Sequence, residues 1–414
     1  MAIKGRIPAV LAVGAIAAGA AVTAAFGAYR ADPGITAQTI KIGGTFPLTG
    51  PASLYATIPA AEKAYFDYVN DHGGVNGRKI DFEVLDDSYD PSKTVPLTQQ
   101  LVEKDNVFAV FGSLGTAPNL AIWGYLNQHK VPQVLIATGD SYWGFSYKKY
   151  PWTIGYQPDY PGEAKIYGQY VRANLRNAKI GVLYQNDAYG KNYFAGLRVG
   201  LAEAKSKIVS AQPFDLTAGP PTQQMLALKA SGATVFFDFA TPAPSIQALV
   251  AMTKIGWKPD QVFVNNVSSS PTFMKIAAAS GAAIDGAVST YYQVDPSNDD
   301  EANLAGVKLA KQIIGQYAPK LDPGNSNVVY GLSAAWTMAY ALQNAGKTPT
   351  RAGLMKALRS LDPKKAKDPF LYPGIGLQTS PTDNFPLEQQ ILVKWEGGAT
   401  GNWKPFGKLY NHAR

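Results

Sequence analysis

Strand-type and helix-type segments alternate along residues 40–136, stop at an aromatic stretch, and begin again beyond it. Ile40 and Ile42 open a strand, and Ala61, Ala64, Tyr65, Tyr68 and Val69 recur at helical spacing until Gly73 and Gly74 stop the helix. Ile80, Phe82 and Val84 alternate with Lys79, Asp81 and Glu83, as in a strand with one wetter face. Asp90-Pro91 is a good helix start, and that helix runs to Leu101. Residues 107–111 form a continuous apolar run of the buried-strand kind, 118–128 a short helix and 134–136 another strand. Three strand–helix pairs and a fourth strand predict a parallel, doubly wound α/β lobe.

The rhythm breaks at residues 140–161, rich in Tyr, Trp and Pro, and then resumes. Helices are expected at 163–175, 193–204, 222–229 and 245–254, and strands at 180–184, 208–214, 235–239, 261–264 and 285–292. This pattern makes a second α/β lobe. Helical patterns at 301–317, 330–344 and 351–359 lack intervening strands, so they are expected to cover the first lobe. Strand-like pieces at 375–377 and 390–394 are expected to return to the second.

Composition puts most common enzyme mechanisms at a disadvantage. The 414 residues include no Cys and only three His, which leaves no thiolate chemistry and little acid–base or metal chemistry at neutral pH. There is no G-x-S-x-G, no phosphate loop and no metal-spaced His; Asp86-Asp87 reads as a turn or cap pair. An α/β hydrolase is therefore the weakest of the functional alternatives.

Lys4 and Arg6 precede an uncharged apolar run over residues 7–28 that ends in small residues, the pattern of a cleavable export signal. The run is also long enough for an N-terminal anchor. The rest of the chain is expected in the periplasm or another extracytoplasmic compartment. Without residues 1–28 the net charge falls from +8 to +6, with no basic run, so nucleic acid is not an expected partner.

Five stretches carry a resemblance: I-K-I-G-G-T-F-P-L-T-G-P-A-S-L-Y at 40–55, D-H-G-G-V-N-G-R-K-I at 71–80, D-D-S-Y-D-P at 86–91, F-G-S-L-G-T at 111–116 and N-D-A-Y-G at 186–190. In order and spacing they resemble the solute-binding proteins of branched-chain amino acid ABC importers. The resemblance implies the type I periplasmic binding fold, with two lobes, a three-strand hinge and a ligand in the cleft. It also implies a monomer that needs no cofactor and delivers its solute to membrane permease subunits. The expected lobes are 38–155 with 292–365 and 156–291 with 366–414. The same fold serves ligand-sensing receptors, the second functional alternative; a chain ending at Arg414 with no downstream membrane span weighs against it.

In an open parallel sheet, ligands bind beyond the carboxyl ends of the strands, where helix N-termini favour anions. Ser113 and Thr116 follow one such strand and could cap a helix, bind an anion, or do both. The resemblance carries over Gly139 and Ser141 as ligand contacts. It also places Tyr55 on the first lobe's wall of the cleft, Tyr189 on the second's, and Thr241 nearby. Amino-acid binders in the family place an acid after the strand at 261–264, to meet the ligand's ammonium; this chain has Asn265 and Asn266 there. Either Asp140 or Asp187 replaces that charge, or the ligand has no ammonium, and the second is favoured because an unpaired buried cation is costly. Residues 142–160 hold eight aromatics, Trp143 among them, expected either as an aromatic wall of the cleft or as hinge packing. The expected solute is a small carboxylate: an aromatic or apolar acid, or a hydrophobic amino acid.

Overall fold

A computed structural model describes residues 32–411; the expected export signal lies outside them. The first lobe is built on a sheet of five parallel strands, β1 (Thr39–Phe46), β2 (Lys79–Asp86), β3 (Ala109–Phe111), β4 (Gln133–Ile136) and β5 (Thr153–Gly155), in the order β2-β1-β3-β4-β5. Helices α1 (Thr57–Asp71), α2 (Pro91–Gln99), α3 (Thr116–Gln128) and the single turn α4 (Tyr142–Phe145) fill the crossings. β3 and β4 are buried at every position, which is why they read as unbroken apolar runs.

The second lobe starts with α5 (Tyr160–Asn174), whose N-terminus is capped by Asp159, Oδ2 accepting from Gly162 N–H at 3.2 Å. β6 (Ile180–Gln185), α6 (Ala188–Leu201), β7 (Ile208–Phe214), α7 (Thr222–Ala230), β8 (Val235–Phe239), α8 (Pro242–Lys254), β9 (Gln261–Val264), α9 (Pro271–Ala279) and β10 (Val288–Tyr291) follow in turn. The chain then crosses back to add α10 (Ala305–Tyr317), α11 (Ser326–Asn344) and α12 (Arg351–Leu358) to the first lobe, where Val307, Val328, Met338 and Leu354 join its core. A last crossing adds β11 (Gln389–Glu396) and β12 (Asn402–Asn411), giving a seven-stranded sheet ordered β12-β11-β10-β9-β8-β6-β7. β11 runs antiparallel to β10, and β12 to β11.

Several local expectations are corrected. The aromatic stretch contains a strand, β5, only three residues long and therefore without a readable period. α9 is an element beyond the expected set, although Pro271 at its first position is a helix-start signal. Residues 375–377 form no strand; Leu377 is apolar because it closes the first lobe's core. β12 shows no strand period in the sequence because Pro405 and Gly407 interrupt it, which an edge strand tolerates. Among the described residues, no helix is long and apolar enough to cross a membrane.

The strand orders locate the functional crevice. In the first sheet the order reverses between β1 and β3, and in the second between β6 and β8. Loops leaving the carboxyl ends of neighbouring strands diverge at such points and leave a gap.

Candidate functional site

Both gaps open on one crevice between the lobes, with about 510 Å³ of space free of atoms, open solvent at its mouth included. The 3₁₀ turn after β1 supplies Tyr55, and the loop after β3 supplies Leu114 and Gly115. Gly115 adopts φ 105°, and a Cβ there would stand 2.7 Å from the Tyr89 ring, so only glycine fits this wall. The second lobe contributes Tyr189 after β6, Thr241 after β8, and Asn266 and Val267 after β9. Tyr160, Tyr292 and Gln293 come from the crossings, and Ser326, Asn327 and Tyr330 from the start of α11.

Six tyrosines line the cavity, and none of its lining residues among those described carries a charge. The rings are held by neighbours within the lobes. Tyr160 meets Tyr189 edge-on at 5.1 Å and stacks on Tyr193 at 4.5 Å. The Tyr189 hydroxyl lies 3.0 Å from Asn265 Oδ1 and 3.1 Å from the Ala240 carbonyl, both acceptors. Burial raises the pKa of Tyr55, Tyr189 and Tyr330 well above the ordinary phenol range, so they act as neutral hydrogen-bonding rings.

The lobes also touch directly. The Tyr55 hydroxyl stands 3.5 Å from the Val267 carbonyl. Ser270 Oγ, at the start of α9, donates to Asn325 Oδ1 and accepts from Ser326 N–H, both at 3.1 Å, and Thr272 Oγ1 donates to Asp322 at 2.8 Å. At the hinge, Asp368 accepts from Ser333 Oγ at 2.5 Å, and the Tyr156 hydroxyl lies 3.3 Å from the same carboxylate oxygen.

Of the ten residues expected at the site, Tyr55, Tyr189, Thr241 and Asn266 line this cavity. The other six lie outside its lining, each engaged elsewhere. Ser113 Oγ accepts from Thr45 N–H at 3.1 Å, and its carbonyl accepts from Asn119 Nδ2 at 2.8 Å. Thr116 Oγ1 pairs with Thr138 Oγ1 at 2.6 Å, and its N–H is directed at the Tyr89 hydroxyl. Gly139 accepts from Tyr160 N–H at 2.7 Å, and Ser141 N–H points across the lobes to Asn192 Oδ1 at 3.4 Å. Asp140 turns back on Tyr142 N–H at 2.9 Å, and burial pushes its carboxyl up to about 6. Trp143 packs against Trp123, 5.1 Å between ring centroids, in a separate cluster with Ile136.

The expected aromatic wall at 142–160 is therefore corrected: Tyr142, Trp143 and Tyr150 gather around Trp123, and of the eight only Tyr160 reaches the cavity. Neither expected replacement acid reaches it. Asp187 caps α6, accepting from Gly190 N–H at 3.1 Å, while Asp140 caps its own turn. Sequence reasoning missed Tyr89, Gln157, Tyr292, Gln293, Asn327 and Tyr330. Asn325-Ser326-Asn327 ahead of an apolar helical pattern is a capping signal that could have marked the last two as the opening of a helix.

The family model described as "Periplasmic binding protein" matches residues 39–399. The "Leu/Ile/Val-binding protein homolog 1" of Brucella abortus (strain 2308) is 24% identical over 366 residues, covering 88% of this chain and 92% of that one. Two solved structures share the fold. A branched-chain amino acid ABC transporter protein from Thermus thermophilus with bound valine superposes with a TM-score of 0.80 at 17% identity, covering 91% of this chain and 97% of that one. A fatty acid ABC transporter substrate-binding protein from Thermomonospora curvata superposes with a TM-score of 0.75 at 22% identity, covering 92% and 95%.

Proposed function

The chain belongs to the periplasmic binding protein family, and from that premise we propose that it captures a small carboxylate-bearing solute outside the cytoplasm and hands it, unchanged, to an ABC permease. The observation that carries this reading is the uncharged, tyrosine-lined crevice walled by both lobes and their crossings. A solute that touches both walls stabilises the closed arrangement over the open one, and closure then hides it from water. Hydrogen bonds such as those of Ser270 form only when the lobes meet, so they add to the closed state alone.

The names of the relatives support a solute with an apolar body and an acid group, either a branched-chain amino acid or an organic acid. Two lobes working as a monomer complete the proposal: 38–155 with 292–387, extended beyond the expected 365 because Phe370, Leu377 and Leu387 join the first lobe's core, and 156–291 with 388–414. Its test is to purify the protein without denaturation, release bound small molecules in acid, and identify them by mass spectrometry. Refilling with the identified solute should raise the melting temperature and reduce the radius of gyration in solution scattering. Recovery of a chemically altered solute, or no change in shape on saturation, would refute the transport reading.

A further inference from the structure

Three buried polar atoms on the cavity wall have no hydrogen-bond partner: Gln293 Nε2, Asn327 Nδ2 and the Tyr330 hydroxyl. Their residues are 8%, 6% and 5% exposed, so water does not readily satisfy them in the closed arrangement. Asn327 and Tyr330 stand three apart on α11 and share a face, and Gln293 comes from the crossing that leaves β10. The corner lies at the N-terminus of a 19-residue helix, where the helix dipole favours negative charge. The first backbone amides there are already used, Ser326 N–H by Ser270 Oγ and Asn327 N–H by Asn325 Oδ1. The free donors are therefore the side chains.

Resting on the transport reading above, we infer that Gln293, Asn327 and Tyr330 hold the carboxylate of an organic acid that carries no ammonium group, its apolar body lying among the tyrosines. Two carboxamide N–H groups and a phenol supply three donors to one anionic end, and hydrogen bonds to a charged acceptor are about twice as strong as neutral ones. An ammonium on the same ligand would need a buried carboxylate, and no lining residue among those described provides one. The acid is thus gripped at the α11 corner and not by Ser113 and Thr116, whose hydroxyls are committed within the lobe.

The test pairs acids with their amino-acid counterparts. Calorimetric titration of the full mature chain uses 4-methylpentanoate against L-leucine, and 3-phenylpropanoate against L-phenylalanine. The deaminated acids are expected to bind at least tenfold more tightly. Tyr330→Phe, Gln293→Met and Asn327→Ala, each checked for an unchanged circular dichroism spectrum, should each weaken acid binding about tenfold. If the amino acids bind more tightly than the acids, the ammonium-free ligand is wrong while the transport reading stands. If the acids bind and Tyr330→Phe and Gln293→Met both leave the affinity within twofold, the corner is wrong. If neither set binds and no solute is released from purified protein, the transport reading fails and this inference with it.

Discussion

Asn266 occupies the rim beyond β9 with an amide, its Nδ2 donating to the Thr290 carbonyl at 2.5 Å and its N–H donating to Glu163 Oε1 at 2.8 Å. Asn266→Asp would set a carboxylate at the edge of an otherwise uncharged cavity and face it toward that carbonyl. Binding of 4-methylpentanoate is expected to weaken more than tenfold and L-leucine binding to strengthen, as read by calorimetric titration. Tyr55, Tyr189 and Thr241 were legible through the family resemblance, which aligns them with cleft residues, and Asn266 because it stands where that family places an acid. Ser113, Thr116 and Gly139 also follow strands, but partners far along the chain turn them inward: Thr45 for Ser113, Thr138 for Thr116, Tyr160 for Gly139. Spacing along the chain carries no record of that choice, since a side chain at a strand end can face either the crevice or its own lobe.

At the scale of elements, α5 and α6 approach through glycines. A Cβ on Gly200 would stand 2.3 Å from the Lys165 carbonyl oxygen, and one on Gly196 would stand 2.3 Å from Pro161 Cα. Gly200→Ala is expected to force the helices apart and cost about 3 kcal/mol, seen as a lower midpoint of urea unfolding. The start of α9 joins the start of α11 through Ser270, whose two hydrogen bonds exist only with the lobes in contact. Ser270→Ala should leave the melting temperature of the ligand-free protein nearly unchanged. It should weaken solute binding about fivefold, mainly through faster release in stopped-flow measurements. Long periodic elements such as α1, α10 and β8 were readable because one face or both faces are buried. β5, α4 and β12 were not, being too short for a period or broken by Pro405 and Gly407.

For the whole molecule, buried carboxyls set the response to pH. Burial raises Asp238 and Asp368 from the usual 3.8 to about 7, and Glu163 and Glu301 from 4.5 to about 7. Folded protein therefore keeps protons that the unfolded chain releases near pH 4, so stability falls as pH rises from about 4 through 7. Hydrogen bonds lower the Asp86 carboxyl, which contributes stability lost only as pH falls below that range. The melting temperature is expected to be highest near pH 4 and to decline through pH 7, and Asp238→Asn should reduce the decline, as scanning calorimetry would record. The fold class was present in the amino-acid order alone, because burying one or both faces of each element imposes a period that survives in one dimension. So was the neutrality of the rim beyond β9, since Asn265 and Asn266 are simply written there. Which tyrosines form the wall, and which donors stay unpaired at the α11 corner, was decided only when two sheets and three crossings met. Those groups come from residues 55 to 330, and their convergence depends on packing between distant segments, which leaves no local pattern.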